Sequence, residues 1–315
     1  MKKKLLEFLS CPVCKSPLRI DRISNSEGSE IIKGALKCRC GKTFLIESGV
    51  PNFLYKSVTN IEKTVFSYDK RWGDFDYKRD NTYGFSSEER FLYFLEKLNM
   101  SINDLKGKII LDAGCGTGQL ALDISRYGCE VIAMDISSSV IRAFKECTLS
   151  DTIYYVRGDV MQVPFRDNCC DYVWCHGVLM NVAEPERALD NLAKLVKKGG
   201  KLYAMFYCSE KNNIYYKIGW HIRDLISKVP RYVQKIIGIP IILIYIFTKS
   251  IKTSTFSNRI LIESKGQFYE TFTTPFAHRH HPEEVIKWYE TRGFTDLKVE
   301  TLTSGFSFSI CGTKL

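Results

Sequence analysis

The chain has no internal repeat and no low-complexity tract, which sets aside repeat arrays and disordered tails. It also lacks long apolar runs. The opening "MKKKLLEFLSCPVC" is interrupted by Glu7 and is too short for a secretory signal. The twelve residues Ile236–Phe247, "IIGIPIILIYIF", fall short of the roughly 20 needed to cross a bilayer. Two nucleotide signatures are missing as well. No G-x-G-x-x-G dinucleotide spacing and no Gly-Lys-Ser/Thr phosphate loop occurs. What remains is ordinary: 45% apolar and 25% charged residues, enough for a soluble protein with a sizeable core. A length of 315 residues fits one large domain and a smaller module.

Twelve cysteines raise the question of disulfides. Cys115, Cys129, Cys147, Cys169, Cys170, Cys175, Cys208 and Cys311 are scattered through strand-like and helix-like segments, the usage of reduced cytoplasmic thiols. The other four are paired. "CPVC" holds Cys11 and Cys14, and "CRCG" holds Cys38 and Cys40, with a polar stretch between. Two close pairs about two dozen residues apart suit a structural tetrahedral thiolate Zn²⁺ site, with a reactive dithiol pair or a disulfide staple as the other readings. The second pair is C-x-C, so that knuckle is tighter. A module of about fifty residues gains folding energy from such a metal.

The sequence around these cysteines, "LSCPVCKSPL…LKCRCGKTFLIESGVPNFL", resembles the zinc-ribbon family of small methyltransferase activators. That family ends in a "Y-P-I-x-x-G-I-P" turn, where this chain has Phe44 to Pro51. The resemblance covers about residues 5–55 and implies a module that binds and stabilises a methyltransferase.

From residue 108 onward, strand-like and helix-like segments alternate. "KIILDAG", "CEVIAMDIS" (129–137), "TIYYVRGDV" (152–160), "CDYVWCHGVL" (170–179) and "KLYAMFY" (201–207) read as strands. Gln119–Tyr127 and residues 186–200 read as helices, the second stopped by glycines. This alternation predicts an α/β fold with a doubly wound, Rossmann-like parallel sheet, whose ligands sit at the carboxyl ends of the strands. After the first strand comes "LDAGCGTG", with Gly114, Gly116 and Gly118 at alternate positions. Asp135 ends the second strand and Asp159 the third.

In combination these motifs look like a class I S-adenosylmethionine (SAM) methyltransferase over residues 60–315. The likeness is greatest to members acting on small molecules and on lipid or sugar intermediates. Met180 and Asn181 replace the two His of that group's "GVLHH", and Lys198 replaces Pro in its L-K-P-G-G turn. The resemblance implies SAM as cofactor and residues 57–315 as the methyltransferase domain, after a zinc-ribbon domain at 1–56. The glycines let backbone approach the amino-acid part of SAM. Asp112 anchors the loop or meets the ammonium, Asp135 accepts from the ribose hydroxyls, and Asp159 from the adenine amino group. The cofactor set is Tyr68, Trp72, Asp112, Gly114, Cys115, Gly116, Gly118, Asp135, Ile136, Asp159, Val160 and His176. Cys115 is there a packing residue of the loop, and Tyr68 and Trp72 cover the cofactor beyond a linker near Tyr55–Asn60. His176 is the first candidate base, with packing or cofactor contact as its alternative. His280, in "FAHRHH", is the second, while His281 reads as the cap of a helix beginning at Pro282. The chain ends in a hairpin.

Residues 208–262 form an insertion. Between 210 and 260 lie nine Lys/Arg against two acids, around the apolar run. This reads as a helical lid, with peripheral contact to an anionic membrane through 228–252 as a compatible reading. The expected acceptor is a small molecule, lipid or lipid-linked saccharide, and the expected location cytoplasmic, in part membrane-associated. Two alternatives stand beside it. The net charge of +10, with eleven basic residues against five acids in residues 1–56, suits an rRNA or tRNA methyltransferase that grips RNA with its zinc finger. Against this, no N-P-P-Y motif follows the fourth strand and the insertion lacks interleaved aromatics. A non-catalytic SAM-binding scaffold is the third reading.

Overall fold

The computed structural model describes residues 1–54, 61–73, 85–147, 150–209, 214–253, 258–302 and 306–315. The expected linker near Tyr55–Asn60 lies outside them. Two compact units emerge: residues 1–55, 80–209 and 278–315 form one, and residues 56–79 with 210–277 the other.

The first unit begins with a small antiparallel sheet of β1 (Leu18–Glu27), β2 (Glu30–Cys38), β3 (Thr43–Glu47) and β4 (Val50–Pro51) in that order. Strand β3 alternates as a half-buried strand should: Phe44 and Ile46 point inward, Thr43, Leu45 and Glu47 outward. Its turn into β4 runs through Ser48 and Gly49, both with positive φ.

Elsewhere in the chain the helices and strands alternate as follows. Helices α1 (Ile61–Trp72) and α2 (Ser87–Leu98) precede β5 (Ile109–Ala113), α3 (Gln119–Ser125), β6 (Glu130–Asp135), α4 (Ser139–Glu146), β7 (Ile153–Arg157) and β8 (Cys170–Cys175). Then come α5 (Pro185–Leu195), β9 (Val196–Cys208), α6 (Ile214–Lys228), α7 (Arg231–Thr253), α8 (Asn258–Phe268), β10 (Arg279–His280), α9 (Pro282–Glu290), β11 (Phe294–Leu302) and β12 (Ser307–Lys314). The large sheet has the order β11-β12-β9-β8-β5-β6-β7. Strands β5 to β9 are mutually parallel, whereas β12 is antiparallel to both β9 and β11. Leu111 lies beside both Ile132 and Val173, all three fully buried, so the central strands are covered on both faces. Strand order reverses at β5, whose neighbours are β6 and β8. The crevice above their carboxyl ends is the ligand-binding place of such sheets.

The helix expected over 186–200 ends five residues early. Val196 turns extended (φ −74°, ψ 128°) and pairs with Cys170, so residues 196–200 open β9 instead. Gly200 is required there, since a Cβ would lie 2.4 Å from the Asp171 carbonyl oxygen. His281 stands at the N-cap of α9 as expected, but its side chain makes no capping bond. The terminal hairpin forms as β11 and β12.

The small sheet and the large one share a single core, in which Phe8, Leu9, Phe44 and Phe53 join Met134, Tyr154, Val156 and Phe165. Asn52 pairs in parallel with Arg157, and the Phe53 N–H bonds the Arg157 carbonyl at 2.8 Å. The small module thereby covers the β7 edge of the main sheet, an edge that would otherwise offer unpaired backbone groups. Polar contacts follow the same seam. Ser10 donates to the Phe165 carbonyl at 2.7 Å, Lys15 to Val163 at 2.8 Å, and Lys2 to Ser150 at 3.0 Å and Ile153 at 3.3 Å. Lys4 pairs with Glu130. A Cβ on Gly49 would fall 2.3 Å from the Phe144 ring of α4, so only glycine permits this approach.

The second unit is helical. Arg71 of α1 pairs with Glu270 at 2.8 Å, its guanidinium 4.4 Å above the Trp72 ring. Ser67 accepts from the Thr273 hydroxyl at 2.8 Å. Gly238 of α7 packs against the Phe268 ring of α8, and Lys249 pairs with Glu263. The twelve-residue apolar run extends well past its expected ends: α7 has 23 residues, with Pro240 inside it.

Candidate active site

The turn between β5 and α3 takes a path only glycine follows easily. Gly114, Gly116 and Gly118 have φ of +91°, +53° and +73°. A Cβ on Gly114 would also lie 2.2 Å from Val178, in the segment after β8. The loop is tied to the end of β6. The N–H groups of Gly114 and Cys115 bond the Met134 carbonyl at 2.7 and 3.0 Å, and Ser139 donates to the Gly116 carbonyl at 2.6 Å. Asp135 completes the tie. One of its oxygens accepts from the Gly116 N–H at 2.8 Å, the other from Ser137 N–H and hydroxyl at 2.8 and 2.6 Å. The acid expected at the ribose is therefore also the clamp of the glycine loop. Cys115 is partly exposed within it.

Asp112 is the anomaly. It is 3% exposed, and its Oδ2 has no hydrogen-bond partner among the described residues. Burial, with the neighbouring Asp135 charge adding to it, pushes its pKa up to about 7. A buried carboxyl oxygen left without a donor has room for a partner from outside the chain, a ligand group or ordered water. A cation such as the sulfonium or ammonium of SAM fits that requirement, and the open glycine path beside it fits the rest of the amino-acid part.

Asp159 follows β7 by two residues and caps the turn Val160–Gln162 by accepting from the Met161 N–H at 2.9 Å; burial raises its pKa. Ile136 is half-buried and its carbonyl accepts from Arg157, while Val160 is buried. Asp112, Asp135 and Asp159 thus stand at or just beyond three neighbouring strand ends. Tyr68 and Trp72 belong to α1 in the other unit.

His176 follows β8 directly. Its ring stacks with Trp174 and Tyr203, at centroid distances of 5.6 and 5.9 Å, and Nδ1 lies 3.1 Å from the Tyr203 hydroxyl. Part of the ring remains accessible to water, yet the enclosing groups lower its pKa to about 4, with the Lys97 charge a second cause. It is neutral through the physiological range, and a proton taken from an acceptor would be poorly held. Stacking and the Tyr203 bond suit the packing or contact role, and the lowered pKa weakens the ring as a base. His280 differs. It pairs with Cys208 at the end of β9, its Nδ1 is 3.2 Å from Glu284, and its buried Nε2 has no partner among the described residues.

One residue earns a place that its sequence reading did not give it. Asn181, in the turn after β8, is 3% exposed, and neither its amide oxygen nor its nitrogen is hydrogen-bonded among the described residues. Next to it, the Met180 carbonyl accepts from the His278 N–H at 2.7 Å, bringing the "FAHRHH" segment to the same strand ends. The sequence signal was its position in the "GVLHH" motif, read there only as a departure.

The four paired cysteines converge: their sulfurs all lie within 4.8 Å of one another, with Cys11–Cys40 at 3.8 Å and Cys14–Cys38 at 3.4 Å. A tetrahedron of thiolates at about 2.3 Å from zinc has edges of about 3.8 Å. None of the twelve cysteines forms a disulfide.

The raised Asp112 pKa has a testable sign. The folded group titrates near 7 and the unfolded one near 3.9, so its destabilising charge is absent at low pH and grows as pH rises from about 4 to 7. Asp112→Asn should raise the stability of the ligand-free protein at pH 8 by about 1–4 kcal/mol, with no gain at pH 4, and should weaken SAM binding. Thermal melts at both pH values and calorimetry check this; equal melts at pH 8 would refute it.

The methyltransferase domain family matches residues 111–204, and the Trm112p-like protein family matches residues 2–49. Demethylmenaquinone methyltransferase of Staphylococcus aureus (strain JH9) is 26% identical over 241 residues, 75% of this chain and 88% of its own length. Among solved structures, magnesium protoporphyrin IX methyltransferase from Synechocystis with bound SAM aligns with a TM-score of 0.45 at 14% identity, covering 83% of this chain and all of its own. A complex of the Haloferax volcanii Trm112 methyltransferase activator with a methyltransferase aligns at 0.44 and 12% identity, over 72% of this chain and 92% of its own. With a methyltransferase-domain match at residues 111–204 within a doubly wound sheet and a Trm112p-like match at residues 2–49 before it, the chain is a SAM-dependent methyltransferase.

Proposed function

We propose that the protein methylates a small-molecule acceptor of apolar character, a lipid or lipid-linked saccharide included. The observation that carries the SAM site is the buried Asp112 carboxyl at the head of a glycine loop, its Oδ2 without a hydrogen-bond partner among the described residues. The acceptor class is supported by the relative that methylates demethylmenaquinone and by how the Trm112p-like module uses its charges. Lys2, Lys4 and Lys15 are engaged with groups on the catalytic sheet's side of the seam, which accounts for part of the module's basic charge without RNA. The Trm112p-like domain itself supports the second reading, an RNA acceptor.

SAM supplies an electrophilic methyl carbon, so the protein's work is to position the acceptor and, for a protonated nucleophile, to remove its proton. Asp135 holds the glycine loop open and has limited remaining capacity for a ribose hydroxyl. Asp159, with Ile136 and Val160 beside the same strand ends, serves the adenine. Asn181 offers its amide NH2 and carbonyl oxygen to orient the acceptor, and His176 forms part of the wall. His280, oriented through Nδ1 by Glu284, presents Nε2 as the base. His280→Gln should lower kcat by about 10²–10⁴ with little change in SAM affinity; an unchanged kcat at all pH values would remove it from this role.

We also propose that Cys11, Cys14, Cys38 and Cys40 hold one structural zinc. Elemental analysis of fresh protein should find about one zinc per chain. Removing it with a chelator, or Cys14→Ser, should loosen residues 1–54; metal-free protein with four freely titratable native thiols would overturn the site.

The acceptor class is decided by incubating the protein with methyl-labelled SAM and fractionated cell extract. Label is expected in the organic-soluble or small-molecule fraction. Label confined to RNA, with binding that falls steeply as salt rises, would replace the proposal with the RNA reading.

A further inference from the structure

Helix α7 is built inside out. Tyr232, Ile236, Ile239, Leu243, Phe247 and Ile251 recur at three- and four-residue intervals and are all well exposed, Phe247 by 66%. Its inward positions include Gln234, Gly238 and Ile246, of which Gln234 donates to the Ile226 carbonyl at 3.0 Å. Helix α6 repeats the pattern with Ile218, Ile222 and Leu225 exposed, the last by 68%. An apolar stripe that recurs along one helix and is echoed on the next differs from the scattered apolar residues of an ordinary surface.

Between residues 214 and 253 the chain carries seven Lys/Arg and one acid, Asp224. Arg223 pairs with Asp224 at 2.9 Å, whereas Lys228 and Lys235 are exposed. The charge carried by α6 and α7 themselves is therefore predominantly basic, with Lys249 paired in turn to Glu263 of α8. A second copy of this chain would set basic groups against basic groups, and a nucleic acid offers nothing to the aliphatic stripe. An anionic lipid surface satisfies both features at once.

Length alone would let α7 cross a membrane: the segment Arg231–Ile251 is long and apolar enough, and only 17% of its most apolar window is buried. Topology forbids a single crossing. The chain leaves the large sheet at the end of β9 and returns to the same strand, where Arg279 pairs with Tyr207 and His280 with Cys208. Departure and return lie on one side, so the number of crossings between them must be even. Among the described residues α7 is the sole helix that meets the length and hydropathy needed, and α8 has 11 residues. Pro240 points the same way. It cannot bond the Ile236 carbonyl, which needs another donor, and the headgroup region supplies water for it.

We propose that the exposed faces of α6 and α7 form a one-sided docking surface for an anionic lipid leaflet, with α7 lying in the plane of the interface. Vesicle binding is measured without methyl transfer, so it is judged separately from the acceptor reading. The full chain is floated with vesicles of phosphatidylcholine, alone and with phosphatidylglycerol. It should partition at least about tenfold more strongly to the anionic vesicles. The triple change Ile236→Ser, Leu243→Ser and Phe247→Ser should cut that binding by about tenfold or more while SAM affinity stays the same. Should the triple variant lose SAM affinity and so its fold, Lys228→Glu with Lys235→Glu decides, with an expected loss on anionic vesicles only. No binding by the native chain, binding untouched by the decisive variant, or a native dimer that the triple variant abolishes in place of lipid binding would overturn the proposal.

Discussion

The glycine loop after β5 stays open because one carboxylate holds it. Asp135 ends β6, takes the Gly116 N–H on one oxygen and Ser137 on the other, and so joins the first two strands of the catalytic half. The loop cannot collapse onto the strand ends without breaking charge-assisted bonds in a buried setting, where each is worth more than in water. Gly116 and Ser137 donate to Asp135, and the adjacent Asp112 carboxyl lies buried beside that like charge. That arrangement is unfavourable while both carboxyls are ionised, and a cation bound there would offset it, as the proposed SAM site requires.

The Trm112p-like module is not an appendage on a flexible tether. It closes the β7 edge of the sheet and places Phe8, Phe44 and Phe53 in the same core as Met134 and Phe165. The Trm112p-like match and the methyltransferase-domain match lie in one chain, so the two are covalently joined. Linkage removes the translational entropy loss that association of separate chains would carry. Three of the module's basic residues are engaged at this seam, Lys2 and Lys15 with backbone carbonyls and Lys4 with Glu130.

Much of this was legible in the sequence because the signals are local. The three glycines need positive φ whatever surrounds them, the strands of the parallel sheet are unbroken apolar runs, and the two cysteine pairs sit on turns short enough to converge. Elsewhere local pattern misled. Residues 196–200 looked like the end of a helix, but pairing of Val196 with Cys170 draws them into β9. The apolar run of twelve residues looked buried or too short, because its helix continues through polar residues at both ends.

The sequence by itself determined the fold class, the order of strands and helices, the glycine loop and the cysteine set, since each depends on residues close together in the chain or on periodicity. Only the tertiary structure decided which polar groups have partners. Among the described residues Asp112 Oδ2 and the Asn181 amide are buried without a hydrogen bond, Asp135 spends most of its acceptor capacity on its own loop, and burial among its neighbours holds His176 neutral. These outcomes depend on atoms brought together from distant segments, and on the water those atoms exclude. A linear pattern names the residue type at a strand end; desolvation and the donors supplied by neighbouring strands settle whether that residue binds a ligand, holds a loop or packs.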